Sequence, residues 1–383
     1  MSKKISILFV IIIALITGLW AWSVSANQNH VVLGGSTSVN TFMQSYTKDF
    51  LENEKKDFIY NSTGSQAGVG GVEKGMYGAG FISKDVSNTT LTGDNQFVKV
   101  HSGENEKEGY TFSLTEKQKF IDKITEIKNE NKNTSKNKSY LAFEFALDAI
   151  AIIYKKPDWL TDDSANKINF SLDKKDFANT SLGKIYSNNY TWEELAKEVG
   201  QENVPNSSTK IVSFTREDGS GTRSAFGDLT GIKSMEYSNV VNSNGAMFEN
   251  VQKSQTAIGY ISYAFVKQIT KESGVKVAGV KNTKLGNPAD LGNDDWEYGM
   301  KLNKATNSFE KTDVTNEQFI KATYGFKRPF IAIFNIHYKN LNLLIDFFSA
   351  MIGEDDTNPY RKNFVEEGLV PNFIIRKVDY EIK

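Results

Sequence analysis

Three times along this chain a short apolar run ends in a turn of glycine and hydroxyl residues and is followed by apolar residues at helical spacing. Val31-Val32-Leu33 runs into Gly34-Gly35-Ser36-Thr37-Ser38, after which Phe42, Met43, Tyr46 and Phe50 recur with the steps of one helix face. Phe58-Ile59-Tyr60 leads through Asn61-Ser62-Thr63-Gly64-Ser65-Gln66 into a second helical stretch over residues 68–74. Ile211-Val212-Ser213-Phe214 opens into Thr215-Arg216-Glu217-Asp218-Gly219-Ser220-Gly221-Thr222 and a third helix. Further buried strands are expected over residues 79–83, 148–154, 257–261 and 275–280, the 148–154 run being apolar enough to be covered on both faces. Strands alternating with helices predict an α/β fold with helices on both faces of the sheet. Residues 115–139 are rich in Lys, Asn and Glu, with Phe120, Ile121, Ile124 and Ile127 as their few apolar positions, and read as a surface helix and a solvated loop.

Composition narrows what such a fold can do. With 383 residues the chain can bury two separate cores. Its 45 Lys and Arg against 46 Asp and Glu leave a net charge of -1, so there is no basic field to gather nucleic acid. Cysteine is absent, which excludes disulfides, thiolate metal sites and thiol nucleophiles. His30, His101 and His337 stand far apart with no second ligand at a metal spacing, so no metal or cofactor is expected. At the N-terminus Lys3 and Lys4 precede an uncharged, mostly apolar run over residues 5–22, and Val24-Ser25-Ala26 has the small-residue spacing of a cleavage site. Residues 1–26 therefore read as a signal peptide or an uncleaved membrane anchor, and the lysines on its N-terminal side place the rest of the chain outside the cytoplasm.

Each of the three turns can present backbone N–H groups and hydroxyls at the positive end of a helix, which is the chemistry of an anion site. Taken singly, each is equally well a structural N-cap contributing about 1 kcal/mol. Three in one chain, with Arg216 inside the last, favour an anion held where strand ends converge. Nucleotide binding lacks support: there is no G-x-x-x-x-G-K-[ST] loop, and Gly68-Val69-Gly70-Gly71 misses the third glycine of G-x-G-x-x-G. A serine nucleophile at Ser220 would need a histidine that no neighbouring position supplies, and G-x-S-x-G is not matched. No enzyme activity is expected.

The segments Gly34-Gly35-Ser36-Thr37-Ser38-Val39, Ser62-Thr63-Gly64-Ser65 and Arg216-Glu217-Asp218-Gly219-Ser220-Gly221-Thr222, with residues 80–83 between them, resemble the phosphate-binding proteins of phosphate-specific ABC transporters. Leu182-Gly183-Lys184-Ile185-Tyr186, Ala257-Ile258-Gly259-Tyr260 and Arg328-Pro329-Phe330 extend the resemblance over nearly the whole exported chain. It implies a bilobed, Venus-flytrap periplasmic-binding-protein fold of type II. One lobe would hold residues 31–147 plus 261–383 and the other residues 148–260, including two hinge strands. It also implies a monomer that encloses inorganic phosphate, delivers it to permease subunits and works on the outer face of the bacterial membrane. Phosphate would be bound by Ser38 and the amide of Val39, by Ser65, by Ser83, and by Arg216, Ser220, Gly221 and Thr222. Thr37 and Gly64 would support the site, and Asp218 would hold the Arg216 guanidinium in place.

Two departures bear on that expectation. Many relatives place an aspartate where this chain has Ser83, and a protonated phosphate needs an acceptor that sulfate does not. Ser83 can accept as well as donate, and Asp85 is a substitute acceptor. Another tetrahedral oxyanion, sulfate or molybdate, and a surface adhesin on the same fold are the alternative functions. The lipid-carrying cysteine common after the signal in Gram-positive relatives is also missing, a role that an uncleaved N-terminal helix would fill.

Overall fold

The computed structural model describes residues 30–98, 109–287, 289, 296–354 and 358–376. Strand β1 (His30–Gly35) feeds helix α1 (Asn40–Glu54), β2 (Asp57–Ser62) feeds α2 (Ser65–Glu73), and β3 (Ala79–Ile82) completes a parallel triplet. After β4 (Tyr110–Phe112) and α3 (Lys117–Glu130) comes the long β5 (Tyr140–Tyr154). Helix α4 (Asp162–Asn166), strand β6 (Asn169–Phe170), and helices α5 (Ser181–Tyr186) and α6 (Trp192–Glu198) follow. A second triplet is then built on the same plan: β7 (Val212–Arg216), α7 (Gly221–Thr230), β8 (Asn239–Val241), α8 (Asn244–Lys253) and β9 (Ala257–Ser262).

The remaining strands are β10 (Lys276–Val277), β11 (Gly279–Val280), β12 (Thr283–Leu285), β13 (Tyr298–Asn303) and β14 (Ser308–Thr315). Helix α9 (Asn316–Ala322), β15 (Lys327–Asn335), α10 (Leu341–Ser349), α11 (Arg361–Glu366) and β16 (Val370–Ile375) end the described chain.

The main path of the eleven-stranded sheet runs β2-β1-β3-β15-β5-β9-β7-β8. Two parallel triplets, β2-β1-β3 and β9-β7-β8, thus flank an antiparallel pair, β15 and β5. In each triplet the first strand in sequence is the middle one in space, so the chain leaves it to one side and returns on the other. The ends of β1 and β7 are therefore topological switch points, where adjacent connections diverge and leave a crevice. A second sheet of five strands has the order β14-β13-β12-β11-β6.

The buried apolar side chains form two large clusters and a small third one. One large cluster contains Val31, Leu33, Phe42, Tyr46, Phe81, Phe143, Phe145 and Ala146, together with Phe330, Phe334, Phe348 and Ile375; the other runs from Ala149 through Ile152, Trp192, Phe226 and Tyr260 to Phe326; Val69, Ile82, Tyr140, Ile331 and Ile333 belong to the small one. Residues 261–326, assigned from sequence to the first lobe, pack with the middle segment: Val266, Val277, Phe319 and Tyr324 join its core. The core changes hands between Phe326 and Phe330, on β15, rather than after Tyr260.

Two other expectations are corrected. The strand expected over 148–154 begins at Tyr140, because Glu144 and Asp148 do not interrupt it: Arg376 neutralises the first and Arg328 the second. The single strand expected over 275–280 is two short ones, β10 pairing with β5 and β11 with β6, so the chain changes sheets at Ala278. In the 115–139 segment α3 buries Phe120, Ile124 and Ile127 and leaves its charged residues outward. The apolar N-terminal run and His101 lie outside the described residues, among which no helix is long and apolar enough to cross a membrane.

Candidate anion site

The first turn leaves β1 through Gly35, whose φ of 142° and close approach to the Phe81 carbonyl leave no room for a side chain. That approach lets Ser36 N–H bond Phe81 O at 2.8 Å and brings the turn onto the end of β3. Ser36 Oγ then donates to Ser83 Oγ at 2.8 Å, and Ser83 N–H to Ser65 Oγ at 3.4 Å. Ser36, Ser65 and Ser83 are all buried. The ends of β1, β2 and β3 are thereby tied together by hydroxyls.

The third turn meets this cluster from the other triplet. Ser38 Oγ and Thr222 Oγ1 are 2.7 Å apart, although 184 positions separate them in sequence. Gly221 is pressed against the same hydroxyls, since a β-carbon there would overlap Ser83 Oγ and stand 2.6 Å from Ser65 Oγ. Ser220 caps α7 by accepting the Arg223 N–H at 3.4 Å. Three helix N-termini, those of α1, α2 and α7, consequently face one small volume carrying the hydroxyls of Ser36, Ser38, Ser65, Ser83, Ser220 and Thr222. Partial positive charge and rotatable donors are concentrated there, the arrangement a tetrahedral oxyanion needs in place of water.

Arg216 supplies the formal charge. Its side chain, 1% exposed, lies at the end of β7. Nε donates to Glu217 Oε2 at 2.8 Å and Nη2 to Glu217 Oε1 at 2.9 Å, a fork-to-fork pair that fixes the guanidinium plane. Nη2 also approaches Thr37 Oγ1 and the Asn242 carbonyl, both at 3.3 Å, and Nη1 approaches Asn244 Oδ1 at 3.4 Å. The strand is steadied by Tyr260, whose hydroxyl accepts the Arg216 N–H at 3.2 Å.

The residues expected from sequence are therefore gathered, with three corrections. Asp218 does not hold Arg216; it is 95% exposed and pairs with Arg223 at 3.2 Å, while its neighbour Glu217 clamps Arg216. In the tight turn after Arg216 the two carboxylates diverge, and the one adjacent to the strand turns back. The Val39 amide, expected to be free for the anion, donates to Ser36 O at 3.1 Å, closing the turn instead. Asp85 is drawn away from the cluster by Arg376, whose Nη2 reaches its two oxygens at 2.7 and 2.8 Å. Thr37 stands beside Arg216, and Gly64 caps α2 with its N–H on Gly35 O at 2.8 Å.

Sequence reasoning missed Ser36, Glu217, Tyr260 and Asn244. A signal existed for the last of these: Val240-Val241-Asn242-Ser243-Asn244-Gly245 is a fourth strand, polar turn and helix. Ser243 caps α8 by accepting Ala246 N–H at 3.0 Å, which leaves the Asn244 amide to face Arg216. Among the described residues no group of three His, Cys, Asp or Glu is placed to hold a metal ion.

Parallel triplets with paired switch points, joined through antiparallel strands and meeting at a cluster of hydroxyls beside a buried arginine, place a candidate anion site on an α/β fold. The PBP (periplasmic-binding-protein) superfamily domain profile matches residues 23–352, and the chain belongs to that superfamily, a class of substrate-binding proteins rather than of enzymes. No curated protein sequence matches it. Among solved structures it is similar to a phosphate ABC transporter substrate-binding protein, so described, from Clostridium perfringens with bound phosphate: 21% identity over 90% of this chain and 99% of that one, TM-score 0.52. It is also similar to an ABC-type phosphate transport receptor from Vibrio cholerae, at 20% identity over 89% and 99% of the two chains, TM-score 0.50. At such identities the likeness establishes the fold.

Proposed function

We propose that this protein captures inorganic phosphate outside the cell and delivers it to the membrane subunits of an ABC transporter. The observation that carries this reading is the buried Arg216 clamped by Glu217 beside hydroxyls from both triplets, joined at Ser38 and Thr222. A dehydrated anion needs many donors and little net charge, and this cluster offers one cation among neutral dipoles. The phosphate carried by the Clostridium perfringens neighbour supports the same ligand class.

The two cores would be the two lobes, residues 30–147 with 327–376 and residues 148–326, closing on the ion about the β5 and β15 crossings. The N-terminal run would serve as signal or anchor, and the protein would act as a monomer on the outer face of the membrane. Phosphate would be held by Ser38, Ser65, Ser83, Arg216, Ser220, Gly221 and Thr222, with Ser36 joining them.

Sulfate is the second reading, favoured by one observation: among the described residues the hydroxyl cluster contains no carboxylate to accept the proton of phosphate, since Glu217 is engaged by Arg216. Calorimetric titration of the ligand-stripped full chain with phosphate and with sulfate across neutral pH separates the readings. Phosphate binding with sulfate excluded upholds the proposal, equal binding makes this a general oxyanion carrier, and binding of neither overturns it. Arg216→Ala should abolish binding, with a loss of at least about a hundredfold from two or more charge-assisted hydrogen bonds.

A further inference from the structure

The anion site lies at the carboxyl ends of β1, β2 and β3, and the amino ends of the same strands carry a different chemistry. Strand β15 runs against β3, and β5 against β15. The start of β1 at His30, the turn into β3, the end of β15 and the start of β5 are therefore all at one end of the first triplet. Strand β9 is antiparallel to β5 and parallel to β7, so β7 runs opposite to β1. The carboxyl ends of the two triplets meet at Ser38 and Thr222, and the amino end of the first triplet points away from the second.

Two segments come together at that amino end, residues 131–139 and 335–340. They carry Lys132, Lys136, Lys138 and Lys339, all exposed, and no Asp or Glu. The loop is pinned rather than loose: Asn335 Nδ2 donates to Lys136 O at 2.6 Å, Ile336 N–H to Ser139 O at 2.8 Å and His337 Nε2 to Thr134 O at 2.9 Å. Asp94 and Glu130 border the lysines, and no ion pair joins any of the four to a described carboxylate. Three other carboxylates at this end are engaged: Asp57 by His30, Asp346 by Lys56 at 2.7 Å, and Glu73 by Thr92 and Asn95. Glu52 and Glu54 stand with Lys55 at the end of α1. In the turn before β3, Lys74 and Met76 are also exposed, Met76 to 59%.

The course of the chain says what such a surface meets. Residues 23–29 separate His30 from the apolar run that ends at Trp22, and seven residues span at most about 25 Å. With that run in a membrane, this end of the first triplet is held close to the lipid headgroups. Lysines are drawn to anionic headgroups within about one Debye length, about 8 Å at physiological salt.

We propose that the surface formed by residues 131–139 and 335–340 docks on anionic lipid, a resting position between rounds of delivery that turns the carboxyl ends of β1, β2 and β3 away from the membrane. This rests on the reading of the N-terminal run as an anchor and adds to it the surface that meets the bilayer.

The chain has no cysteine, so one introduced residue carries a fluorescent label. Asn133→Cys puts it on the lysine surface, and Ser234→Cys, exposed between α7 and β8, puts it on the second triplet's side. The full chain is reconstituted in phosphatidylcholine vesicles with and without about 30% phosphatidylglycerol, each containing an uncharged quencher on the lipid headgroup. The label at position 133 should be quenched at least about threefold more in the anionic vesicles, and the label at position 234 equally little in both. Lys132→Gln, Lys136→Gln, Lys138→Gln and Lys339→Gln combined should abolish the difference, as should about 1 M salt, whereas arginine at the same four positions should keep it. Quenching at position 133 that ignores lipid charge, survives the glutamine substitutions, is lost with arginine or is matched at position 234 overturns the inference and leaves the anchor standing. A chain that does not float with vesicles of either composition removes the anchor reading, and the inference with it.

Discussion

Arg216, Glu217 and Asp218 are three consecutive charged residues with three different fates: one buried, one turned back to clamp it, one in solvent. Strand alternation would put Asp218 on the Arg216 side, but β7 ends at Arg216, and the turn that follows carries Glu217 back onto the guanidinium and Asp218 into solvent. Glu217→Ala should weaken phosphate binding by at least about tenfold, since it frees the guanidinium plane, whereas Asp218→Ala should stay within about threefold; calorimetry on the two variants reads the contrast. Gly221 makes a second residue-scale prediction. An alanine β-carbon would overlap Ser83 Oγ, so Gly221→Ala should lower stability by about 1–3 kcal/mol in urea unfolding and also impair phosphate binding. Turn chemistry marked the three hydroxyl turns and Arg216, because a hydroxyl or arginine in a strand-to-helix turn is visible in one dimension, and the resemblance to phosphate-binding proteins singled out Ser38, Ser65 and Thr222 within them. Which carboxylate holds the arginine was not visible, because it depends on turn direction.

At the scale of elements, helix α2 reaches the site because glycines let it lie on the strands. A β-carbon at Gly68 would meet Gly35 Cα at 2.5 Å and Gly34 O at 2.8 Å, backbone atoms that cannot swing aside. Gly68→Ala should therefore lift the α2 N-terminus with Ser65 and lower the unfolding midpoint, an effect read by thermal unfolding. Helix α6 is secured differently. A capping box at Thr191 starts it, and Glu193 accepts from Ser207 Oγ at 2.7 Å, Thr209 N at 2.8 Å and Thr209 Oγ1 at 2.7 Å. Burial alone would raise the Glu193 pKa, but these hydrogen bonds outweigh it and hold the carboxyl below its ordinary 4.5. A depressed carboxyl stabilises the fold above its unfolded pKa, and that contribution is lost as pH falls through the folded value. Urea unfolding below about pH 4.5 should accordingly show a shallower pH dependence in Glu193→Gln than in the native protein. The alternation of strands and helices was legible here from apolar periodicity. The length of β5 was not, since Glu144 looks like an interruption until Arg376 is brought to it.

Over the whole molecule the connection between the two cores is electrostatic as well as covalent. Asp148 on β5 and Arg328 on β15 stand opposite each other at the crossing, with Nε and Nη2 on one carboxylate oxygen at 2.9 and 2.7 Å and Ser262 Oγ on the other at 2.7 Å. Both side chains are fully buried, so removing one strands the other: Asp148→Ala or Arg328→Ala should cost about 3–5 kcal/mol in chemical denaturation, and an apolar pair of similar volume at both positions should recover most of it. By itself the sequence determined the α/β alternation, the three hydroxyl turns and the single arginine among them, because apolar period and turn chemistry are local properties of the chain. Tertiary structure alone decided that residues 261–326 share the core of the middle segment, that Ser38 meets Thr222, and that Glu217 rather than Asp218 clamps Arg216. The first two depend on strand order and on where two distant turns meet, and contacts between distant positions leave no mark on local periodicity; the third depends on the direction taken by one tight turn.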